Sequence, residues 1–234
     1  MIAGQPRERL WDISLRLGLE EATYPGDPPF VRQVLSDLAH GGAYELASLS
    51  LSAHAGTHLD APAHFIPGGA RLEDFPLERF LPPALVLEAA GEGALPASLL
   101  AGLAPRPGWA LLFKTANSRQ GRAAAGQWRD DYAHLSPALA RACLEWGASL
   151  VGLDAPSPEA PGDEGYPVHY ILLGAGALIL EGLNLAGVPA GEYRLICPPL
   201  SLAGAEAAPV RAMLHGPWEP GGVQGPWPEI HGRG

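Results

Sequence analysis

The apolar positions of the chain fall mostly in short runs separated by glycine and proline, and the runs have the length of strands. Apolar and small polar residues mix with a period near two over 10–14, 30–35 and 44–52, which is the pattern of half-buried strands. Apolar runs over 85–89, 110–113 and 150–153 are bounded by Pro or Gly and suit buried strands. Runs at 179–181, 193–197 and 210–214 add three more.

Helical pattern is scarcer. Ser136 and Pro137 open a segment that runs through Trp146, and Gly147 closes it. That is an N-cap, a first-turn proline and a glycine past the end, in the right order. A second short helix is expected over 96–103. Many strands with interspersed helices predict a mixed α/β (α+β) fold. No linker divides the chain, so one domain is expected over 1–214, with the Pro/Gly/Trp-rich residues 215–234 as an irregular tail.

Composition narrows the class. With 234 residues, 47% of them hydrophobic, the chain can bury one sizeable core. Its 30 Gly and 25 Pro lie between clear apolar runs, which reads as loops and not as disorder. The net charge is −10 and Lys114 is the only lysine. An acidic surface without a basic stripe argues against nucleic acid or an anionic membrane as a partner. The longest apolar run, 170–180, is too short to span a bilayer, and the first residues carry no apolar signal core. A cytoplasmic protein acting on a small molecule is the expectation. Cys143 and Cys197 have no CxxC spacing, so neither a disulfide framework nor a thiolate zinc site is indicated, and both read as buried thiols.

The candidate chemistry is concentrated. His54, His58, Asp60 and His64 fall within eleven residues, in the pattern H-x3-H-x-D-x3-H. A helix would put His54 and His58 on one face, but Gly56, Thr57 and Pro62 make a helix poor here. A strand-to-turn reading works better. His58 and Asp60, two apart on an extended stretch, point to one side, and a turn at Gly56 folds His54 back toward them. Two imidazoles and a carboxylate suit Zn²⁺, and also Mn²⁺, Co²⁺ or Fe²⁺. A lone histidine is more often structural; three with an aspartate at this density indicate a metal site.

His169 and Glu181 are a second candidate pair. On one straight element they would stand about 18 Å apart as helix or about 40 Å as strand, too far to share an ion. Gly174 and Gly176 offer a break: a short helix with His169, a reversal, then a buried strand over 177–180 presenting Glu181. A capping histidine and a surface glutamate remain the alternative from the residues alone.

The 54–64 segment resembles the signature of the cyclase-like metal-dependent hydrolase family, whose best-known members are the bacterial kynurenine formamidases. Further stretches fit the same family in order: Trp11-Asp12-Ile13-Ser14, Tyr24-Pro25-Gly26-Asp27, Leu112-Phe113-Lys114-Thr115 and Gly152-Leu153-Asp154-Ala155-Pro156-Ser157. Leu180-Glu181-Gly182-Leu183-Asn184-Leu185 and Pro209-Val210-Arg211-Ala212-Met213-Leu214 complete the match. The 154–157 and 181–185 stretches are more similar to the kynurenine formamidase branch than to isatin hydrolases.

The resemblance implies a swivelling β/β/α domain, usually a homodimer, that binds two Zn²⁺ ions per subunit or another divalent metal such as Mn²⁺. It implies His54, His58 and Asp60 at the first ion and Asp60, His169 and Glu181 at the second, with Asp60 bridging. His64 becomes the general acid/base and Tyr24 an aromatic substrate contact. The implied reaction is hydrolysis of N-formyl-L-kynurenine to L-kynurenine and formate in tryptophan degradation, with metal-bound hydroxide as nucleophile. Another amide such as isatin is the alternative, and a metal-binding protein without activity is a remoter one.

The chain departs from the family pattern in three places. Tyr170 follows His169 where a second histidine is common, the stretch before Val210-Arg211 reads Glu206-Ala207-Ala208-Pro209, and the tail is longer. Trp109, Trp128 and Trp146 are expected to pack, and His40, His134, His215 and His231 to lie on the surface. Asp154 could support the metal site, and Lys114 with Thr115 could be structural or touch substrate.

Overall fold

Most of the apolar runs become strands of one nine-stranded sheet. The computed structural model describes residues 9–218. In chain order the strands are β1 (Arg9–Asp12), β2 (Val31–Ser36), β3 (Leu46–Ser50), β4 (His58–Asp60), β5 (Pro83–Glu88), β6 (Ala94–Leu95) and β7 (Ala110–Lys114). They continue with β8 (His134–Leu135), β9 (Leu150–Leu153), β10 (Leu178–Glu181), β11 (Gly191–Ile196), β12 (Ala207–Pro209) and β13 (Met213–Trp218). The helices are α1 (Ala116–Arg119), α2 (Pro137–Trp146) and α3 (Pro167–Gly174).

The large sheet runs β1-β13-β11-β5-β7-β9-β10-β4-β12. Its centre, β5-β7-β9-β10, is parallel, and both flanks are antiparallel. The central strands are the continuous apolar runs, as expected for strands covered on both faces. Alternate residues serve two cores. Leu111, Phe113, Val151 and Ile179 face α2 and α3, packing with Leu139, Cys143, Val168 and Leu172. Ala110, Leu112, Leu150 and Leu180 face the other way, where Ile13, Leu59, Tyr193 and Leu214 from the flanks close over them. The sheet therefore curls around one core and carries its helices on the outside, the mixed α/β fold expected.

Local signals hold where they are self-contained. Leu139 N–H donates to the Ser136 hydroxyl at 3.1 Å, Pro137 occupies the first turn, and Gly147 closes α2 in the left-handed region at φ 96°. Between α3 and β10 the chain reverses through Gly176, at φ 79°. Cys143 and Cys197 are buried and unpaired.

Four expectations change. The helix expected over 96–103 is a single 3-10 turn, Ala97–Leu100. The strand expected over 210–214 begins only at Met213, in β13; Val210 follows β12, donating its N–H to the Thr57 carbonyl at 2.9 Å, and 211–212 lie between the two strands. Strand β13 runs on through 215–218, which had read as tail, pairing with both β1 and β11; residues 219–234 lie outside the described ones, as does His231. His40 is exposed, but His134 and His215 are half-buried, each held within a strand.

Candidate metal centre

Strand β4 is buried at all three positions and lies between β10 and β12. Its register sets Glu181 opposite His58 and Ile179 opposite Asp60. Residues opposed in a sheet share a face, and so do residues two apart. His58, Asp60 and Glu181 therefore project together, toward the face that carries α3. Helix α3 brings in His169, whose Nε2 lies 3.2 Å from Glu181 Oε1 and 3.8 Å from Asp60 Oδ2. The helix, reversal and strand that the two glycines allowed are what join the pair.

The other ligand types arrive on turns. Ala55 N–H donates to the Ser52 carbonyl, and Gly56 at φ 61° sends the chain into β4. His54 Nδ1 comes to 2.9 Å from Asp60 Oδ1, while His58 Nε2 is 3.5 Å from that same oxygen and 3.4 Å from Glu181 Oε2. His64 ends the 3-10 turn Pro62–His64, its ring 4.2 Å from that of His54.

Among the described residues, two trios have potential ligand atoms mutually within 4.8 Å: His54, Asp60 and His64, and His58, Asp60 and Glu181. Asp60 belongs to both. The first trio includes His64, which the resemblance cast as a proton carrier, and the second joins His58 to Glu181.

The atoms of this cluster are arranged for a cation. His58 Nε2 and both carboxylate oxygens of Asp60 are buried without a hydrogen-bond partner, although nitrogens stand close to them. Orphaned buried acceptors cost about 1–3 kcal/mol each, and a divalent ion would satisfy all three. Hydrogen bonds on the far side of two rings turn their lone pairs inward. His58 Nδ1 donates to the Gly56 carbonyl at 3.0 Å, and His169 Nδ1 donates to Glu159 Oε1 at 2.9 Å. In the neutral ring that ligation requires, Nε2 of each is then left as acceptor toward the cluster. The residues fit a metal.

Electrostatics point the same way. Burial would raise the Asp60 carboxyl, but His58 and His54 outweigh it and hold it well below the usual carboxylate range. Burial and the charge of Asp60 raise Glu181. Burial alone would lower His54, yet its contact with Asp60 takes it up to about 9. His169 is raised to about 10, Glu159 and Glu181 overcoming burial. His64 goes the other way, to about 4, chiefly through burial.

Around the cluster the structure adds residues that the spacing did not reveal. Glu159 is buried and also accepts the backbone N–H of His169 at 2.8 Å. The signal available was an acidic residue in an otherwise Pro-rich loop after Ser157. Glu206, one of the departures, stands 3.7 Å from His54 Nε2. Phe65 stacks on His169 with centroids 4.4 Å apart, and Tyr170 meets Phe65 edge-on from an exposed position.

Tyr24 lines the recess in front of the cluster and meets Trp128 edge-on at 5.0 Å. Trp128 therefore packs, but against the wall of the site. Trp146 is buried in the core, and Trp109 carries Arg106 over its ring. Lys114 is structural, bonding the Val188 carbonyl at 2.7 Å and Glu88 at 3.0 Å. Asp154 accepts from the Thr115 hydroxyl and from the Thr115 and Ser118 N–H groups, which fixes the start of α1 rather than the histidine–carboxylate cluster.

Residues 11–160 match the family described as "Putative cyclase". The chain belongs to that family. It is similar to the kynurenine formamidase of Bordetella petrii, 36% identical over 212 residues that cover 88% of this chain and 98% of that one. Among solved structures it resembles a protein titled a potential metal-dependent hydrolase with cyclase activity, with TM-score 0.77 and 29% identity over 91% of this chain and 100% of the other. Isatin hydrolase A from Labrenzia aggregata follows at TM-score 0.76 and 25% identity, over 90% and 94% of the two chains. Within the cyclase family the chain falls in the kynurenine formamidase branch, and it is a hydrolase. Among the described residues no helix is long and apolar enough to cross a membrane.

Proposed function

We propose that this cyclase-family enzyme hydrolyses the formamide of N-formyl-L-kynurenine to L-kynurenine and formate. The observation that carries the proposal is the cage of His54, His58, Asp60, His169 and Glu181, with buried orphaned acceptors and a recess in front of it. The name of the Bordetella relative supports the substrate.

His54, His58 and Asp60 would hold one divalent ion, and Asp60, His169 and Glu181 a second, with Zn²⁺ the first choice and Mn²⁺ the next. The ions supply Lewis acidity, making water a nucleophile near neutral pH and polarising the formyl carbonyl. A formanilide also needs a proton on its departing nitrogen. His64 lies beside the cage and, at about 4, is neutral at pH 7. In that form it takes a proton from the attacking water and returns it to the aryl amine. Tyr24 offers its ring to the aryl group, and Glu159 keeps His169 aimed at the cage. We place the working enzyme in the cytoplasm as a homodimer.

The likeness to isatin hydrolase A supports a second reading, in which the substrate is a cyclic amide such as isatin. Incubating metal-loaded protein with each compound separates the two. The proposal expects kynurenine to accumulate from the formamide much faster than isatin is opened. Opening of isatin alone would overturn it.

A further inference from the structure

A second, shallow recess shares Tyr24, His54 and His58 with the first and extends away from the cage to Arg122 and Arg129. Its apolar wall includes Tyr132, whose ring lies 5.9 Å from that of Trp128. One continuous depression thus offers metal ligands, aromatic edges and guanidinium groups.

The guanidinium groups are not equivalent. Arg129 grips Asp131 with two parallel bonds, Nε to Oδ1 at 2.7 Å and Nη2 to Oδ2 at 2.6 Å, so that pair neutralises itself. Arg122 touches Asp131 only through Nη1, at 3.3 Å to the backbone carbonyl and 3.8 Å to a carboxylate oxygen already taken by Arg129. Its Nε and Nη2 have no partner among the described residues. Its side chain is only 24% exposed. A half-covered positive charge is thus left uncancelled in a protein of net charge −10.

The loop that carries Arg122 is fixed in place. Ala123 N–H donates to the Asn117 carbonyl at 3.0 Å, Gly126 N–H to the Glu20 carbonyl at 3.2 Å, and Ala133 N–H to the buried Asn117 side chain at 3.0 Å. A planar fork carried on a fixed loop at the end of an aromatic recess is suited to receive a carboxylate through two nitrogens.

We infer that this recess reads a carboxylate on the side chain of the aryl substrate, with Arg122 as its anchor. The inference rests on the proposed formamidase reading for the placement of the aryl group near the cage. It adds what that reading leaves open, namely what separates an amino-acid formanilide from a plain one. Arg122 contributes binding and specificity and takes no part in the chemistry.

The test measures binding to the metal-loaded protein by calorimetric titration, with no turnover read. Three compounds share one aryl ketone: L-kynurenine, 4-(2-aminophenyl)-4-oxobutanoate, which keeps the carboxylate without the ammonium group, and 2′-aminoacetophenone, which has neither. The two carboxylates should bind at least about tenfold more tightly than the ketone, the scale of a charge-assisted pair. Arg122→Met should remove most of that ratio and Arg122→Lys should keep part of it. Equal binding of all three, failure of the oxobutanoate to bind better than the ketone, no binding of any, or a ratio unchanged in Arg122→Met would overturn the inference. If Arg122→Met does not fold, the wild-type ratios and Arg122→Lys still decide. A protein that prefers the carboxylates but hydrolyses no formamide would refute the proposed reaction and leave the recess standing.

Discussion

Thr57 donates its hydroxyl to the carbonyl of Gly182 at 2.5 Å, across 125 residues of sequence. Each partner is one residue from a proposed metal ligand, His58 on one side and Glu181 on the other. The same hydroxyl accepts the Leu15 N–H at 2.8 Å. This buried junction sets the spacing between the two halves of the site. Thr57→Val should cost about 1–3 kcal/mol, the scale of leaving buried partners unpaired. Gly182→Ala should do more harm. Gly182 sits at φ 63° and a methyl there would run into the Gly56 carbonyl, adding steric conflict to roughly 1–3 kcal/mol of backbone strain. Urea unfolding of the metal-free proteins gives the ranking, and metal content should fall in Gly182→Ala.

Removing the carboxylate behind His169 should weaken the cage without deleting a ligand. Glu159→Ala is expected to lower affinity for the ion by about 10–100-fold. Glu159→Gln should recover part of it, since its amide oxygen can still accept from Nδ1. Competition with a chromophoric chelator measures both. Equal affinity in all three proteins would remove Glu159 from the account.

Metal uptake should release protons. In the metal-free cage the imidazoles of His54 and His169 are charged at pH 7, raised to about 9 and about 10 by their carboxylate neighbours. Ligation requires them neutral, so affinity should climb as pH rises from 6 toward 9. The sign for stability is opposite. Groups raised above the usual 6.5 stabilise the metal-free fold most fully below that pH, and the contribution is lost as pH rises through about 9 and then about 10. Titrating metal into weakly buffered protein with a pH indicator should show the release directly.

His64→Ala distinguishes a proton carrier from a ligand. The expectation is full metal content with a rate lower by about 10² or more. Because His54, Asp60 and His64 also form a compact trio, a parallel loss of metal would reassign His64 to the coordination sphere.

The site was legible in sequence to the degree that its parts are local. His54, His58, Asp60 and His64 lie on one turn–strand–turn, so spacing alone put them together. His169 and Glu181 needed the break at Gly174 and Gly176 and the family resemblance, because only tertiary packing sets α3 over β10. The roles of Glu159 and Glu206 needed the folded chain too: one folds back on His169 from the loop before α3, the other approaches His54 from just before β12. The fold shows a similar division. Helix α2 carries its own cap and stop, whereas β13 includes Gly216 and Pro217, which read as breakers. It persists as strand because β1 and β11 flank it, with Trp11 Nε1 donating to the Gly216 carbonyl at 3.1 Å.

The most direct measurement is formate release from N-formyl-L-kynurenine by protein stripped with a chelator and then titrated with Zn²⁺. The account predicts no turnover in the stripped protein and a return of activity that levels off at two equivalents per chain. Undiminished turnover after stripping, or none after full reloading with Zn²⁺ or Mn²⁺, would contradict it.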